Sequence, residues 1–288
     1  MGVRMLWMLA AALGASLLLW AMMTAWILLR QRQRVFRPLD RMIRAFPSDA
    51  GLDYSAFTLP VTKMDYITGW YVPGHASGGG QGWTIIFCHG NSGNIGGLVE
   101  VAEVMTGLGF AIVLFDYRGY GASSGRPGEA EMYADAEACY RYLVEQREVS
   151  PQRIIWFGHS LGAAVACEAA LRCPADMLVL EGAFLSVPAL AALRYPRLPV
   201  RRFVRIRYAL QEKIGRVDIP VLVAHSRADE VCPFGHGETL FAAARSPKRF
   251  VEIAGGHSNG GMLTNVHYRE ALLTFAQECR HLPGDILE

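Results

Sequence analysis

Two stretches of this 288-residue sequence match G-x-S-x-G, the spacing that lets a serine occupy a sharp strand-to-helix turn. They are Gly158-His-Ser-Leu-Gly162 and Gly121-Ala-Ser-Ser-Gly125. Ser160 follows the apolar run Arg153-Ile-Ile-Trp-Phe157, and the helix-forming stretch Leu161-Gly-Ala-Ala-Val-Ala166 begins directly after it. That context lifts a hydroxyl to the edge of a sheet, and a Cβ at Gly158 or Gly162 would strike the neighbouring strand or helix. Ser123 lies in Asp116-Tyr-Arg-Gly-Tyr-Gly-Ala-Ser123 and is followed by Pro127-Gly128, which continues a loop. Ser160 is therefore the candidate nucleophile and Ser123 a turn residue.

A serine hydroxyl at neutral pH needs a general base, and the base needs an orienting carboxylate. His257 stands in Ile253-Ala-Gly-Gly-His-Ser-Asn-Gly-Gly261, a glycine-rich loop after the last expected strand. Asp229 stands in Ala224-His-Ser-Arg-Ala-Asp-Glu-Val-Cys-Pro233, the loop after the strand before it. The chain order Ser160, Asp229, His257 follows. Glu230 is adjacent, but the ending Asp229-Glu-Val-Cys-Pro233 favours Asp229; Glu181, at another strand end, is the alternative acid. Asp116 is expected to brace its own loop by pairing with Arg118. His225 and His236 read as structural or exposed, and His159 as the variable residue of the turn. Charge developing on a substrate oxygen needs two backbone N–H donors. Leu161, after the serine, supplies one, and Asn91 in Cys88-His-Gly-Asn-Ser-Gly-Asn94 is chosen for the other.

These loops need strands that end at one edge. Apolar runs at residues 83–88, 110–115, 153–157, 177–180, 220–224 and 249–253 show no alternation and are separated by helical stretches. Such runs indicate a parallel sheet covered on both faces. Residues 54–59 and 67–72 read as two shorter strands before them. Helices are expected over 95–108, 129–146, 161–171, 239–244 and 265–279. The fold class is α/β, with no internal repeat.

At 52% apolar and 19% charged residues, the chain can bury a large core. Met5 to Leu29 is a 25-residue run without a charge, bounded by Arg4 and Arg30. As a helix it extends ~37 Å, enough to cross a hydrocarbon core of about 30 Å. It is too long for the apolar part of a cleaved signal and ends in no small-x-small site. Apolar residues on every side also fit a core helix poorly. The expected organisation is a transmembrane anchor over 1–30, a basic juxtamembrane linker over 31–50 and a catalytic domain over 51–288.

The net charge of +2 conceals an asymmetry. Residues 1–44 carry seven basic and one acidic side chain, residues 193–216 eight and one, and the rest 13 basic against 24 acidic, or −11. The basic balance therefore points to a membrane surface and not to nucleic acid. Arg30, Arg32, Arg34, Arg37, Arg41 and Arg44 follow the apolar run, which places the domain in the cytoplasm. The six cysteines form no C-x-x-C pair and sit in apolar surroundings, so they read as buried free thiols and not as a metal or redox site.

Taken together, His89-Gly-Asn91, Asp116-Tyr-Arg-Gly-Tyr-Gly121, Gly158-His-Ser-Leu-Gly162, Arg227-Ala-Asp-Glu-Val231 with Pro233, and Gly256-His257 resemble the α/β-hydrolase superfamily. More narrowly the chain is similar to its membrane-anchored bud-emergence-related branch, which includes the α/β-hydrolase-domain depalmitoylases. The resemblance spans about residues 65–275. It implies a serine hydrolase of esters, thioesters or amides that uses a Ser-His-Asp triad, with no metal or organic cofactor. The depalmitoylases carry a cysteine-rich, lipidated amino terminus, whereas this chain has an apolar run and no cysteine before Cys88.

A short cap is expected at about 184–216, where Leu193-Arg-Tyr-Pro-Arg-Leu-Pro-Val200 and the residues after it mix basic with apolar side chains. The cap reads as a solvated lid or as a membrane-facing one that admits acyl substrates. The function expected is hydrolysis of ester or thioester bonds in a small or lipid-like acyl substrate. An aminopeptidase-type amidase, an acyltransferase on the same triad and a catalytically inactive scaffold are the alternatives.

Overall fold

A computed structural model describes residues 2–38 and 41–280. Met1 of the expected anchor, Leu39 and Asp40 of the expected linker, and residues 281–288 lie outside the described residues. Helix α1 (Gly2–Leu29) leads to eight strands: β1 (Ser55–Pro60), β2 (Tyr66–Val72), β3 (Thr84–Cys88), β4 (Ala111–Asp116), β5 (Ile154–His159), β6 (Met177–Glu181), β7 (Val221–Ser226) and β8 (Lys248–Ile253). They form one sheet in the order β1-β2-β4-β3-β5-β6-β7-β8. β1 and β2 pair antiparallel, as do β2 and β4, and every later pair is parallel. All eight expected strands are present.

The apolar runs lack alternation because both faces of the sheet are covered. Ile85, Phe87, Ile112, Leu114 and Phe157 pack on one face, against Met105 of α2 (Val99–Gly107) and Leu272 and Phe275 near the carboxyl terminus. Ile86, Val113, Phe115 and Trp156 pack on the other. They meet Met132 and Ala136 of α3 (Glu129–Arg141) and Ala163 and Ala166 of α4 (Leu161–Ala170). Each large apolar side chain buried in this way contributes about 1.5–3 kcal/mol. A core of this size readily offsets a strained residue at the sheet edge.

Between β6 and β7 the chain forms α5 (Val187–Arg194) and two short helical turns, Val200–Phe203 and Leu210–Lys213. α6 (Phe234–Ala243) and α7 (Val266–Arg280) follow β7 and β8. α6 starts five residues earlier than the sequence suggested, taking in Gly235 and Gly237. Gly237 is needed there, because a Cβ would meet the His225 ring at 2.5 Å. Close packing onto the strand overrides the low helix propensity of glycine.

Helix α1 is long and apolar enough to cross a membrane. Only Thr24 and Ile27 of it are buried. The hydroxyls of Ser16 and Thr24 bond the carbonyls of Ala12 and Trp20 one turn back, so neither needs an outside partner. Its last turns touch the segment between β6 and β7, where Trp20 Nε1 donates to Arg197 O at 2.8 Å. The Arg34 guanidinium lies 4.5 Å over the Trp26 ring and donates to Tyr195 Oη at 2.7 Å.

Candidate active site

Six loops leave the carboxyl edge of the parallel strands, after β3, β4, β5, β6, β7 and β8, and the residues singled out above lie at or on them. Ser160 has φ 54° and ψ −117°, a conformation that costs a non-glycine residue about 1–3 kcal/mol. The turn is fixed by Ser160 N–H donating to Glu181 O at 2.9 Å and Ala163 N–H donating to Ser160 O at 3.0 Å. Both flanking glycines are required by close approach: a Cβ on Gly158 would meet Ala163 of α4, and one on Gly162 would meet the Cys88 carbonyl. The amino terminus of α4 starts at the next residue, where its dipole favours negative charge.

His257 Nε2 lies 2.8 Å from Ser160 Oγ, and its Nδ1 lies 2.7 Å from Asp229 Oδ2. The second carboxylate oxygen of Asp229 accepts from Val231 N–H at 2.8 Å and Cys232 N–H at 2.7 Å. Burial alone would raise the Asp229 carboxyl. The hydrogen bond to His257 and those from the two amides instead hold it below its ordinary range. An ionised Asp229 fixes the tautomer with hydrogen on Nδ1, which leaves Nε2 to accept from the serine. Glu230 accepts His257 N–H at 3.0 Å and so holds the histidine loop.

Glu181 is engaged elsewhere. Its Oε1 lies 3.0 Å from His159 Nδ1, so His159 forms a second histidine–carboxylate pair beside the first and does more than fill a variable position. Ser123 is fully buried, donates to Asp116 O at 2.6 Å and accepts from Thr68 N–H at 2.9 Å. It is a turn residue, as its context implied. His225 is buried with Nε2 2.9 Å from Cys232 O, and His236 is half-buried.

The expected Asp116–Arg118 pair does not form. Arg118 Nε bonds Asp135 Oδ1 of α3 at 2.6 Å, and Arg118 N–H bonds Asp135 Oδ2 at 2.9 Å. Asp116 instead accepts Ile95 N–H at 3.0 Å and faces His89, whose Nε2 lies 3.7 Å away. The helix after the loop, and not the loop's own carboxylate, clamps the arginine.

A cleft of about 470 Å³ opens over Ser160 and His257. His159, Asn91, Phe87 and Leu98 line it, together with Met42, Arg44 and Ala45 from the expected linker. A groove of about 580 Å³ beside Glu103 and Arg269 shares no residue with it. Asn91 sits in the loop after β3, and a Cβ on the preceding Gly90 would lie 3.6 Å from Ser160 Cβ. Asn91 C=O and side chain are bonded to other segments, while its N–H has no partner among the described residues.

Among the described residues, Asp229, Cys232 and His257 hold the one cluster of ligand atoms close enough for a metal, within 4.8 Å. Two of the three already form the hydrogen-bonded chain to Ser160. Burial raises the Cys232 thiol, which opposes the thiolate a metal would need. All six cysteines are free; Cys279 is half-buried and the rest are buried.

A family model described as serine aminopeptidase, S33, matches residues 81–210. An uncharacterized protein of Mycobacterium tuberculosis is 42% identical over 248 residues, which cover 83% of this chain and 88% of that protein. Lysophosphatidylserine lipase ABHD12 of Danio rerio is 33% identical over 185 residues, 57% of this chain and 48% of that protein. Among solved structures, the Pyrococcus furiosus esterase Pf2001 superposes with a TM-score of 0.67. It covers 83% of this chain and 98% of its own at 18% identity, a likeness of fold.

Proposed function

Because the chain belongs to the α/β-hydrolase superfamily, we propose that it is a membrane-tethered serine hydrolase that cleaves ester or thioester acyl bonds. The observation that carries this reading is the unbroken chain Asp229–His257–Ser160, at 2.7 and 2.8 Å, ending on a strained serine that lines a cleft. As Ser160 Oγ attacks the acyl carbon, its proton passes to His257 Nε2, and Asp229 stabilises the imidazolium. The carbonyl oxygen becomes an oxyanion that accepts from the N–H groups of Leu161 and Asn91. Collapse breaks the bond to the alcohol or thiol, which leaves with the proton from His257. Water, deprotonated by the same nitrogen, then releases the acid and restores Ser160.

The matched family model favours an amide-cleaving reading, that of an aminopeptidase. Such an enzyme needs a carboxylate near the serine to hold the substrate's α-ammonium group. The residues lining the cleft include Arg44, His159 and His257 but no aspartate or glutamate among the described residues. That lining supports a neutral or anionic acyl compound, and the relative named lysophosphatidylserine lipase supports a lipid-derived one.

The anchor is proposed to be α1, retained in the bilayer with the domain on the cytoplasmic side. The hydrogen bond from Trp20 of α1 to Arg197 O joins the helix to the segment between β6 and β7 and supports a retained helix. The reading is tested with the full-length chain in detergent micelles. A p-nitrophenyl ester, an acyl thioester and an aminoacyl p-nitroanilide are compared in the wild type and Ser160→Ala. Ester and thioester turnover that vanishes in Ser160→Ala is expected; preferential cleavage of the anilide, or a fully active Ser160→Ala, overturns it.

A further inference from the structure

We infer that the segment between anchor and domain, residues 35–37 and 41–45, is a working part of the active site: it positions the oxyanion loop through Asn91 and forms one wall of the cleft. This rests on the hydrolase reading above, in which Asn91 N–H is an oxyanion donor.

The loop after β3 is rich in glycine, with Gly90 and Gly93 on either side of Asn91-Ser92, and Gly93 at φ +79°. Such a loop does not hold a donor in place by itself, yet donors act only when preorganised at about hydrogen-bond distance from the developing charge. The constraint comes from outside the loop. Asn91 O accepts Arg37 N–H at 2.9 Å and Tyr120 O–H at 2.9 Å. The Asn91 amide donates to Val35 O at 3.2 Å, and Arg37 and Ser92 form an isolated parallel bridge. Two residues on, the Asn94 amide donates to Met42 O at 3.1 Å. With its carbonyl and its side-chain amino group both bonded outside the loop, Asn91 is held while its backbone N–H has no partner among the described residues.

The segment is itself pinned on both sides of these contacts. Phe36 is 5% exposed and packs edge-on against Tyr208 with ring centroids 6.3 Å apart. Arg41 donates to the carbonyls of Gly121 and Ser123, at 3.2 and 2.6 Å. Toward the anchor, Gln31 Oε1 accepts from Arg205 N–H at 2.9 Å and Ile206 N–H at 3.3 Å. Met42, Arg44 and Ala45 then line the cleft that also contains Ser160 and His257. Residues 35–37 and 41–45 therefore form a buttress that includes the buried ring of Phe36.

The test uses the full-length chain in detergent. Asn91→Ala keeps the backbone N–H but removes the tether to Val35; Phe36→Ala loosens the segment, and Phe36→Leu is the conservative control. Turnover of p-nitrophenyl butyrate is referred to active sites titrated with a fluorophosphonate. In parallel, inhibition by a trifluoromethyl ketone reports on binding of a tetrahedral oxyanion. Asn91→Ala and Phe36→Ala should each lower kcat per active site by roughly 10- to 100-fold. KM should stay within about twofold, the ketone should weaken by a similar factor to kcat, and Phe36→Leu should restore most of both. Unchanged kcat per active site in both alanine variants overturns the inference, whether or not their active-site titre falls. A loss that appears in KM and leaves ketone binding intact overturns it too. A wild type with no turnover fails the hydrolase reading itself and is told apart by that.

Discussion

Glu181 Oε1 lies 3.0 Å from His159 Nδ1, and the two rings His159 and His257 lie 5.2 Å apart, so two histidine–carboxylate pairs stand side by side at the serine. Only the pair with Asp229 reaches Ser160, through His257 Nε2 at 2.8 Å. The two carboxylates must therefore differ in their effect on turnover. Asp229→Asn should lower kcat by about 10³- to 10⁴-fold, since an amide cannot hold the required tautomer. Glu181→Gln should retain turnover within about tenfold, because the acid that orients the base is intact. Steady-state kinetics on the two variants checks this, and an active Asp229→Asn with a dead Glu181→Gln would move the acid to Glu181.

Gly162 tests the turn in another way. A Cβ there would meet the backbone carbonyl of Cys88, which cannot move without pulling on β3. Overpacking of this kind costs about 1–3 kcal/mol, and here the displaced strand carries the loop with Asn91. Gly162→Ala is expected to lower both the unfolding temperature and the rate of fluorophosphonate labelling. Wild-type values of both would contradict the close approach.

The buried pair His89 and Asp116 gives a pH signature. Burial pushes the His89 imidazole from 6.5 down to about 4, and pushes the Asp116 carboxyl from 3.8 up to about 7. The neutral His89 stabilises the fold above pH 6.5, and this is lost as the pH falls toward 4, where the unfolded chain alone takes up the proton. Asp116 acts in the opposite sense: the folded chain keeps its proton up to about 7, so stability falls as the pH rises from 4 to 7. Asp116→Asn removes the opposing slope. Between pH 6.5 and 4 the variant should lose up to about 3 kcal/mol more than the wild type, read by thermal unfolding in detergent. Parallel pH profiles would contradict the assignment.

Much of this arrangement was legible because the strands are buried on both faces and read as apolar runs whatever their order. Ser160, Asp229 and His257 each follow such a run, so their meeting at one sheet edge could be anticipated without knowing which strands are neighbours. The partner of Arg118 could not. Asp135 lies 17 positions away on α3, and only the packing of that helix brings its carboxylate to the turn. The contacts that the segment after α1 makes with the loop after β3 could not be read from the sequence, because its arginines suggest a solvated or lipid-facing chain. One buried aromatic, Phe36, sets no periodicity that a sequence pattern could reveal. Gly235 and Gly237 likewise hid the start of α6; Gly237 is present for contact with His225 of β7 and not for helix propensity.

The membrane placement carries its own expectation. Arg30, Arg32, Arg34 and Arg37 follow directly on α1, and basic residues near an anionic surface are worth about 1 kcal/mol each. The chain should stay with the membrane fraction through a carbonate wash, and a carboxyl-terminal alkaline phosphatase fusion should be inactive. Release by carbonate would contradict the anchor, and strong phosphatase activity the cytoplasmic orientation.

The central claim, that Ser160 is the nucleophile, is tested most directly by mapping the covalent adduct of a fluorophosphonate. The reagent should react once per chain, and mass spectrometry of the digested protein should place the phosphonate on Ser160. Labelling should disappear in Ser160→Ala and fall steeply in His257→Ala. A phosphonate found on Ser123 or another residue, or undiminished labelling of Ser160→Ala, would contradict the account.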